Sequence, residues 1–279
     1  MFELEGGGMR IVRFTGPRGD GWGILEGDRV VELDAFRFDS PPEVAGRTWR
    51  IQEVRLRAPV APPRNVFCLG QNYREHVRES PTPREEPTQP VWFTKTTTAI
   101  ADPDADIPID PTLVTHLDWE VELAVVIGKG GRNIPEDRAL EHVYGYTVLN
   151  DLSARNLQFS RGGQWFYGKS LDGLCPVGPV LVTREEIPDP QALELRLRVN
   201  GEERQRGSTR DMIFPVSIAI ADLSRGITLL PGDVIATGTP AGVGMGMRPP
   251  RFLQDGDVVE AEVVGIGVLR NRIVWTHPR

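Results

Sequence analysis

The 279 residues suffice for one large domain with its own core and a small accessory unit, so a buried active site is possible. With 39% hydrophobic and 25% charged residues the composition is globular, and no run approaches the roughly 18 apolar residues of a membrane span. The net charge of −7 argues against a nucleic-acid partner, because binding a phosphate backbone requires a basic surface.

The N-terminal region predicts a leader and then short strands. Residues 1–8 lack the basic and apolar parts of a secretory signal, which predicts a disordered leader. Alternating apolar residues and a Gly-Asp turn predict a small meander over residues 9–33, and we assign residues 9–60 to a small N-terminal β domain. The proline-rich stretch 58–63 predicts a linker to a main domain over residues 64–275.

From residue 64 onward the sequence predicts many strands and few helices. Strands are predicted at 65–69, 116–127, 193–199 and 258–273, and helices at 135–142 and 215–225. Since strands and helices do not alternate regularly, we expect a β-rich mixed α/β architecture and not a doubly wound sheet. Only two cysteines occur, Cys68 and Cys175, far apart, which favours a reducing cytoplasm and gives neither a role.

A histidine and a glutamate lie three residues apart in the predicted short helical turn after the first strand of the main domain. At this spacing the Glu79 carboxylate can hold the His76 imidazole in one tautomer and raise its basicity, as a water-activating pair requires. A surface ion pair is the alternative explanation. The proline-rich segment Ser80–Pro87 that follows predicts a mobile loop that could bring the pair to a site.

Two glutamates precede an apolar segment. Residues two apart in a strand share a face, so Glu120 and Glu122 are predicted to point the same way. Because Ala124–Ile127 is apolar on both faces, the strand is predicted to be interior, where paired carboxylates need a cation or a proton between them. A solvated polar face is the alternative.

A third carboxylate follows in Asn150-Asp151-Leu-Ser-Ala-Arg155-Asn-Leu-Gln158. The spacing predicts Asp151, Arg155 and Gln158 on one face of a capped helix, although a salt-bridged surface turn has the same pattern. Three carboxylates, with the remaining positions left to water and substrate, suit Mg²⁺ or Mn²⁺.

The segment Gly163–Ser170 matches the phosphate-loop pattern only formally. Its variable positions include bulky aromatic residues and no strand precedes it, so we reject nucleotide binding. The chain has lysine only at 95, 129 and 169, and Lys169 is interpreted as a buried ammonium facing an anionic site. Further on, the Thr237–Gly244 loop is predicted either to offer backbone amides and the Thr239 hydroxyl to a carboxylate or to form an ordinary tight turn.

Together these segments resemble the fumarylacetoacetate hydrolase superfamily over nearly all of residues 64 to 274. The matching stretches, in the family's order, are Asn72–Glu79, Asp118–Leu123, Asn150–Arg155, Gly168–Ser170 and Thr237–Gly244.

The resemblance implies a fumarylacetoacetase C-terminal-type β-sandwich roll, usually in a homodimer, with a small N-terminal β domain. It implies the following roles: Glu120, Glu122 and Asp151 as ligands of Mg²⁺ or Mn²⁺; Arg155, Gln158, Lys169 and Thr239 as substrate-binding residues; and His76, Glu79 and Lys169 as catalytic residues. The expected substrate is a small 2-oxo acid, with neither nucleic acid nor membrane as a partner and a cytoplasmic location.

Several reactions are compatible with this site, because all pass through an enolate stabilised by positive charge. The first expectation is isomerisation or decarboxylation of 2-hydroxydienedioates from aromatic catabolism, followed by oxaloacetate decarboxylation and acylpyruvate hydrolysis. The alternative of a different class is a binding module without turnover. Such a module would have no need for His76.

Overall fold

The computed structural model describes residues 7–80 and 85–276. Residues 1–6 of the predicted leader and 81–84 of the predicted mobile loop lie outside this range. Strands predominate in the described part, which confirms the β-rich fold class. No helix there is long and apolar enough to cross a bilayer.

The strands and helices of the described residues are numbered in chain order. The strands are β1 (Arg10–Gly16), β2 (Gly19–Glu26), β3 (Arg29–Ala35), β4 (Glu43–Arg50), β5 (Arg55–Arg57), β6 (Val66–Gly70), β7 (Val91–Lys95), β8 (Ile100–Ala101), β9 (Asp106–Ile109), β10 (Leu117–Asp118), β11 (Val121–Ile127), β12 (Val143–Asn150), β13 (Ser153–Ala154), β14 (Cys175–Thr183), β15 (Glu194–Val199), β16 (Glu202–Ser208), β17 (Val234–Ala236), β18 (Val258–Val263) and β19 (Gly267–Trp275). The α-helices are α1 (Arg74–Glu79), α2 (Arg155–Gln158), α3 (Phe166–Lys169) and α4 (Val216–Leu223).

Two sheets pack against each other. The larger has the order β4-β3-β2-β1-β14-β12-β11-β17-β6-β7, with β5 beside β1 and β8 beside β14. The smaller has the order β16-β15-β18-β19-β9 and packs on the middle of the larger one, against β11, β12 and β14. Most pairs are antiparallel, whereas β6–β17, β8–β14 and β9–β19 are parallel. The N-terminal meander continues the large sheet through the β1–β14 pair.

Strand β11 lies in the interior, and every residue in it is buried. Val121, Leu123 and Val125 face the small sheet, where they join the larger core cluster. Ala124 and Val126 face the opposite side and a second core cluster. By strand periodicity Glu122 belongs to this second face, so its carboxylate enters a buried environment on the side away from the small sheet.

Several predicted elements differ from the observed ones. The strand predicted over 116–127 is broken at Trp119–Glu120, and strand β4 was not predicted. The helix predicted at 135–142 is a 3₁₀ helix over Glu136–His142, with Pro135 as its N-cap. The other predicted helix is α4, with Pro215 as its N-cap and Gly226 just beyond its end, as expected.

Candidate active site

The candidate site lies where several strands of the large sheet end. The chain leaves β6, β12 and β17 at this edge and enters β11 there, since β11 runs antiparallel to β12 and β17, and β6 runs parallel to β17. Residues beside these strand ends therefore converge although they are far apart in sequence. They line a cleft with about 420 Å³ of atom-free space.

The three predicted ligand carboxylates meet in this cleft. Glu120, Glu122 and Asp151 each offer an oxygen, and these three oxygens lie within 4.8 Å of one another. All three residues are buried, Glu120 being 5% exposed and Asp151 0% exposed. Three carboxylates this close together and this well buried from solvent need positive charge to offset their repulsion.

Glu120 reaches the group from the break between β10 and β11, and not from the strand itself. Its backbone N–H donates to Asn150 Oδ1 at 3.0 Å, and its carbonyl accepts from the backbone N–H of Asp151 at 2.8 Å. These two bonds tie the break to the end of β12. Strand periodicity therefore does not explain why Glu120 and Glu122 converge.

Asp151 also reaches the site differently from the prediction. The predicted helical face of Asp151, Arg155 and Gln158 is wrong, because the chain stays extended through β13 and the helix begins only at Arg155. The other half of that prediction agrees with the structure, since Arg155 Nη1 donates to Gln158 Oε1 at 3.0 Å within α2. Asp151 faces the cleft from the segment that joins β12 to β13.

Two buried lysines bind the triad. Lys169 Nζ donates to Glu120 Oε2 at 2.9 Å and to Asp151 Oδ2 at 2.6 Å. Lys95 Nζ donates to the other Asp151 oxygen at 2.5 Å and is 0% exposed. Lys95 was not among the predicted site residues. Two of the three lysines of this arginine-rich chain thus lie at the site. The scarcity of lysine in the sequence was the signal that could have identified Lys95.

Lys169 is held in place by a close approach of two short helices. A Cβ atom at Gly168 would lie 2.4 Å from the backbone nitrogen of Gln158 and 2.8 Å from the carbonyl oxygen of Ala154. Only glycine therefore allows α3 to pack on α2 here. Burial alone would lower the pKa of Lys169, but Asp151 and Glu120 raise it above its ordinary value, so this residue stays an ammonium.

Glu120 and Glu122 differ in charge. Burial disfavours ionised Glu120, yet Lys169 and Arg155 outweigh it and lower the pKa of Glu120. For Glu122, burial, Asp151 and Glu120 all act in the same direction and raise its pKa well above 4.5. Its carboxylate accepts from the Gly238 N–H at 2.7 Å and forms no salt bridge with a described residue.

This donor set fits a divalent cation. Three oxygen donors of hard character converge, and one of them, Glu122, lacks a cationic partner among the described residues. A bound metal ion would neutralise the ionised Glu122 carboxylate. Without a metal ion, Glu122 stays neutral by keeping its proton. Glu120, Glu122 and Asp151 could therefore hold the ion, with the remaining positions open to the cleft.

A pH dependence follows from Glu122. Without metal, raising the pH above about 4.5 ionises this group in the unfolded chain before it ionises in the folded one, so stability falls up to the raised folded pKa. We expect chelator-treated protein to show this decline in thermal unfolding between pH 5 and pH 8, and Glu122→Gln to show a smaller one. Equal declines in both proteins would contradict the assignment.

The His76–Glu79 pair lies beside the triad. His76 Nδ1 is 2.7 Å from Glu79 Oε1, and Glu79 Oε2 accepts from the Gly242 N–H at 2.7 Å. Glu79 is therefore fixed on both oxygens and orients the ring. His76 lines the cleft, and its Nε2 is the ring nitrogen left to face it.

The loop after β17 offers its backbone amides to carboxylates of the chain itself. The Gly238 N–H binds Glu122, the Gly242 N–H binds Glu79, and the N–H groups of Gly244 and Met245 bind Asp118. The amides predicted to be offered to a carboxylate are thus engaged by the chain's own carboxylates. Thr239 lines the cleft, but its hydroxyl donates to the carbonyl of Val121 at 2.8 Å.

Asp118 was not predicted and positions Arg155. It is 0% exposed and accepts from Arg155 Nε at 2.8 Å, from Gly244 N at 2.7 Å and from Met245 N at 3.0 Å. Arg155 Nη2 in turn lies 2.7 Å from Glu120 Oε1. One buried carboxylate therefore connects the loop after β17 to the guanidinium at the site.

Replacing Asp118 by asparagine should be costly. An amide NH₂ group would face one of the donors that Asp118 now satisfies, and Arg155 would keep only Glu120 as an anionic partner. Breaking a buried pair in this way costs about 3–5 kcal/mol, so we expect a lower free energy of unfolding and weaker substrate binding. Chemical denaturation and kcat/KM measure both, and the exposed Asp172→Asn is the matched control. A stability unchanged from that of the control would contradict this role.

Part of the cleft lining is apolar. It is formed by Leu69, Phe93, Phe159, Trp165 and Met245. Phe93 and Trp165 meet edge to face with ring centroids 5.5 Å apart, and Lys169 Nζ lies 5.1 Å from the Phe93 centroid. The cleft thus combines a charged floor with an aromatic wall, as small-molecule sites commonly do. Trp165, one of the residues that argued against a phosphate loop, belongs to this wall.

The sequence matches known families over most of its length. Residues 65–274 match the family described as "Fumarylacetoacetate (FAA) hydrolase C-terminal", and residues 9–59 match "Rv2993c-like, N-terminal".

Individual relatives agree with these matches. The chain is 44% identical to oxaloacetate tautomerase YisK of Bacillus subtilis, covering 90% of this chain and 84% of the relative. It is 40% identical to mitochondrial oxaloacetate tautomerase FAHD2A of Homo sapiens, covering 95% and 92%. Among solved structures, 2-hydroxyhepta-2,4-diene-1,7-dioate isomerase from Mycobacterium marinum superposes with a TM-score of 0.85 at 37% identity, covering 97% of this chain and 100% of that chain.

Proposed function

The chain belongs to the fumarylacetoacetate hydrolase family of enzymes, and from that premise we propose that it is a divalent-metal-dependent tautomerase of oxaloacetate. The observation that carries the proposal is the meeting of Glu120, Glu122 and Asp151 in one buried cleft that His76 also lines. The names of the curated relatives support oxaloacetate as the substrate.

Mg²⁺ or Mn²⁺ is the proposed cofactor, because the three donors are all carboxylate oxygens. When bound, such an ion would supply Lewis-acid polarisation of the 2-oxo group and of the neighbouring carboxylate. Lys169 and Arg155 add positive charge at the same place and remain protonated, since the pKa of each is raised. They favour the enolate over the keto form by charge alone.

Within this proposal, proton transfer is the role of His76. Glu79 accepts from Nδ1 and leaves Nε2 free to take a proton from C3 of the keto acid. A proton from solvent then protonates the 2-oxygen to complete the enol, and His76 releases the C3 proton to solvent; the reverse sequence restores the keto form. Gln158, Lys169, Arg155 and Thr239 are the proposed substrate-binding residues, as they line the cleft.

Isomerisation of a 2-hydroxydienedioate from aromatic catabolism is the second candidate. It is favoured by the superposition with the Mycobacterium marinum enzyme of that name. The same chemistry would serve both substrates, since each reaction moves a proton between carbon and oxygen through an enolate. Homodimer formation, a cytoplasmic location and the division into domains 9–60 and 64–275 stay predictions.

An absorbance assay tests the proposed function. Enol-oxaloacetate is mixed with enzyme and Mg²⁺, the loss of enol absorbance is followed, and pyruvate is measured to detect decarboxylation. We expect faster tautomerisation than in buffer, no matching pyruvate release, and loss of the effect with chelator. If oxaloacetate tautomerisation is not accelerated but a 2-hydroxydienedioate is rapidly isomerised, the second candidate replaces the first. If these compounds bind and neither is turned over, a binding module is favoured.

A further inference from the structure

Gln71 has an unusual backbone conformation at the edge of the cleft. Four described non-glycine residues have positive φ, and the others are Asp104, Asn133 and Asn200, residue types that adopt this conformation readily. Gln71, with φ of 57°, is neither Asp nor Asn, and it is the one of the four that lines the cleft. Such outliers concentrate at functional sites, because they persist only where the surroundings enforce them.

The neighbours of Gln71 enforce this conformation. Asn72 is 0% exposed, its Nδ2 donates to the carbonyls of Phe214 and Thr237, and its Oδ1 accepts from the Phe214 N–H at 2.8 Å. On the other side, a Cβ at Gly70 would lie 2.4 Å from the Trp165 ring. The turn between β6 and α1 is therefore fixed at both ends, and the Gln71 side chain is directed by it.

The amide of Gln71 is available to a ligand. It has no hydrogen-bond partner among the described residues, whereas a glutamine amide offers two donor hydrogens and an acceptor oxygen. The side chain lines both the cleft and a smaller adjoining cavity behind the His76–Glu79 pair. Gln71 thus lies on the His76 side of the site.

The cations of the cleft are already paired with the chain's own carboxylates. Arg155 contacts Asp118 and Glu120, and Lys169 contacts Glu120 and Asp151. Because both cations lie at the triad, they are proposed to bind the 2-oxo-acid end, and a substrate group beyond C3, the carbon next to His76, is left to the neutral donors on the His76 side. Gln71 is a neutral donor on that side, whereas the Gln158 oxygen accepts from Arg155 Nη1 and so places that amide on the Arg155 side of the cleft.

We propose that Gln71 is a specificity-determining residue whose amide donates a hydrogen bond to the distal carboxylate of a 2-oxo dicarboxylate. This inference rests on the proposed function, because it takes the 2-oxo-acid end to lie at the triad. It adds to that function by naming the side chain that makes the site prefer substrates with a second carboxylate. Gln71 neither holds the metal nor transfers the proton.

The test compares two ligands that share the 2-oxo-acid end. Oxaloacetate has the distal carboxylate and pyruvate lacks it, and the Kd of each is measured with Mg²⁺ present for wild type, Gln71→Leu and Gln71→Gly. Loss of a hydrogen bond to a charged group should weaken oxaloacetate binding about tenfold to a hundredfold. Pyruvate binding should change less than about twofold, because its contacts do not include the amide. Gln71→Gly relieves the backbone, so an equal loss in both variants assigns the effect to the amide.

Two results would overturn the inference. One is an unchanged preference for oxaloacetate over pyruvate in both variants, and the other is a parallel loss of both ligands. The proposed function fails separately, through absence of oxaloacetate turnover by the wild-type enzyme, which leaves the two-ligand comparison intact. In turnover, KM for oxaloacetate should rise in the variants while kcat stays within a few fold, as expected for a binding and not a chemical role.

Discussion

Replacing Glu122 by alanine is expected to lower kcat/KM for oxaloacetate by about 1,000-fold or more, which corresponds to roughly 4 kcal/mol of lost transition-state stabilisation. The variant keeps Glu120 and Asp151, but these two already bind Lys169 and other cations. Glu122 is the proposed ligand carboxylate that has no cationic partner among the described residues. Its removal should therefore abolish tight metal binding and leave the ion pairs of the buried lysines intact.

The measurement is steady-state turnover together with metal titration by calorimetry. Glu141→Ala is the matched control, because that glutamate is an exposed partner of Arg138 and does not line the cleft. Folding should survive in the variant, since the pKa of Glu122 is raised and its ionised form is disfavoured without metal. Wild-type metal affinity in Glu122→Ala would refute the ligand assignment.

His76→Asn is expected to lower kcat by about 10²- to 10⁴-fold, the usual contribution of a general base. The asparagine amide can still donate to Glu79, which lies 2.7 Å from Nδ1 in the native protein, but it has no nitrogen able to accept a proton. Metal binding and KM should change little, because His76 contacts none of the three proposed ligands by hydrogen bond or salt bridge.

The exposed His116→Asn is the matched control for this substitution. Glu79→Gln should show a smaller loss of kcat than His76→Asn, because it disturbs the orientation and tautomer of the ring and leaves the base in place. A kcat of His76→Asn within a few fold of the wild-type value would remove His76 from the chemistry, whatever the activity of Glu79→Gln.

Local patterns in the sequence predicted part of this site. Strand periodicity places Glu122 correctly in a buried strand, and helical spacing explains the Arg155–Gln158 hydrogen bond. The same spacing was wrong for Asp151, because α2 begins only at Arg155, after the short strand β13. The i, i+4 spacing alone does not show where a helix begins, since the residue types at 151–154 do not forbid an earlier start.

Long-range contacts could not be predicted from these patterns. Asp118 meets Gly244 and Met245 across more than 120 residues, and β1 pairs with β14 over a still longer separation, as in the Arg10–Val182 pair. Such contacts depend on the order of strands in the sheet, which periodicity does not encode. Lys95 was missed for the same reason, because its contact with Asp151 arises only when the end of β7 is brought beside the segment that follows β12.

The most direct test is the anomalous scattering of Mn²⁺ bound to crystals of this protein. A single strong peak per chain is expected within about 2.0–2.6 Å of carboxylate oxygens from residues 120, 122 and 151. No such peak is expected in Glu122→Ala crystals. The contradicting result is a crystal saturated with Mn²⁺ in which the manganese is bound elsewhere and residues 120, 122 and 151 contact Lys169 but no metal ion.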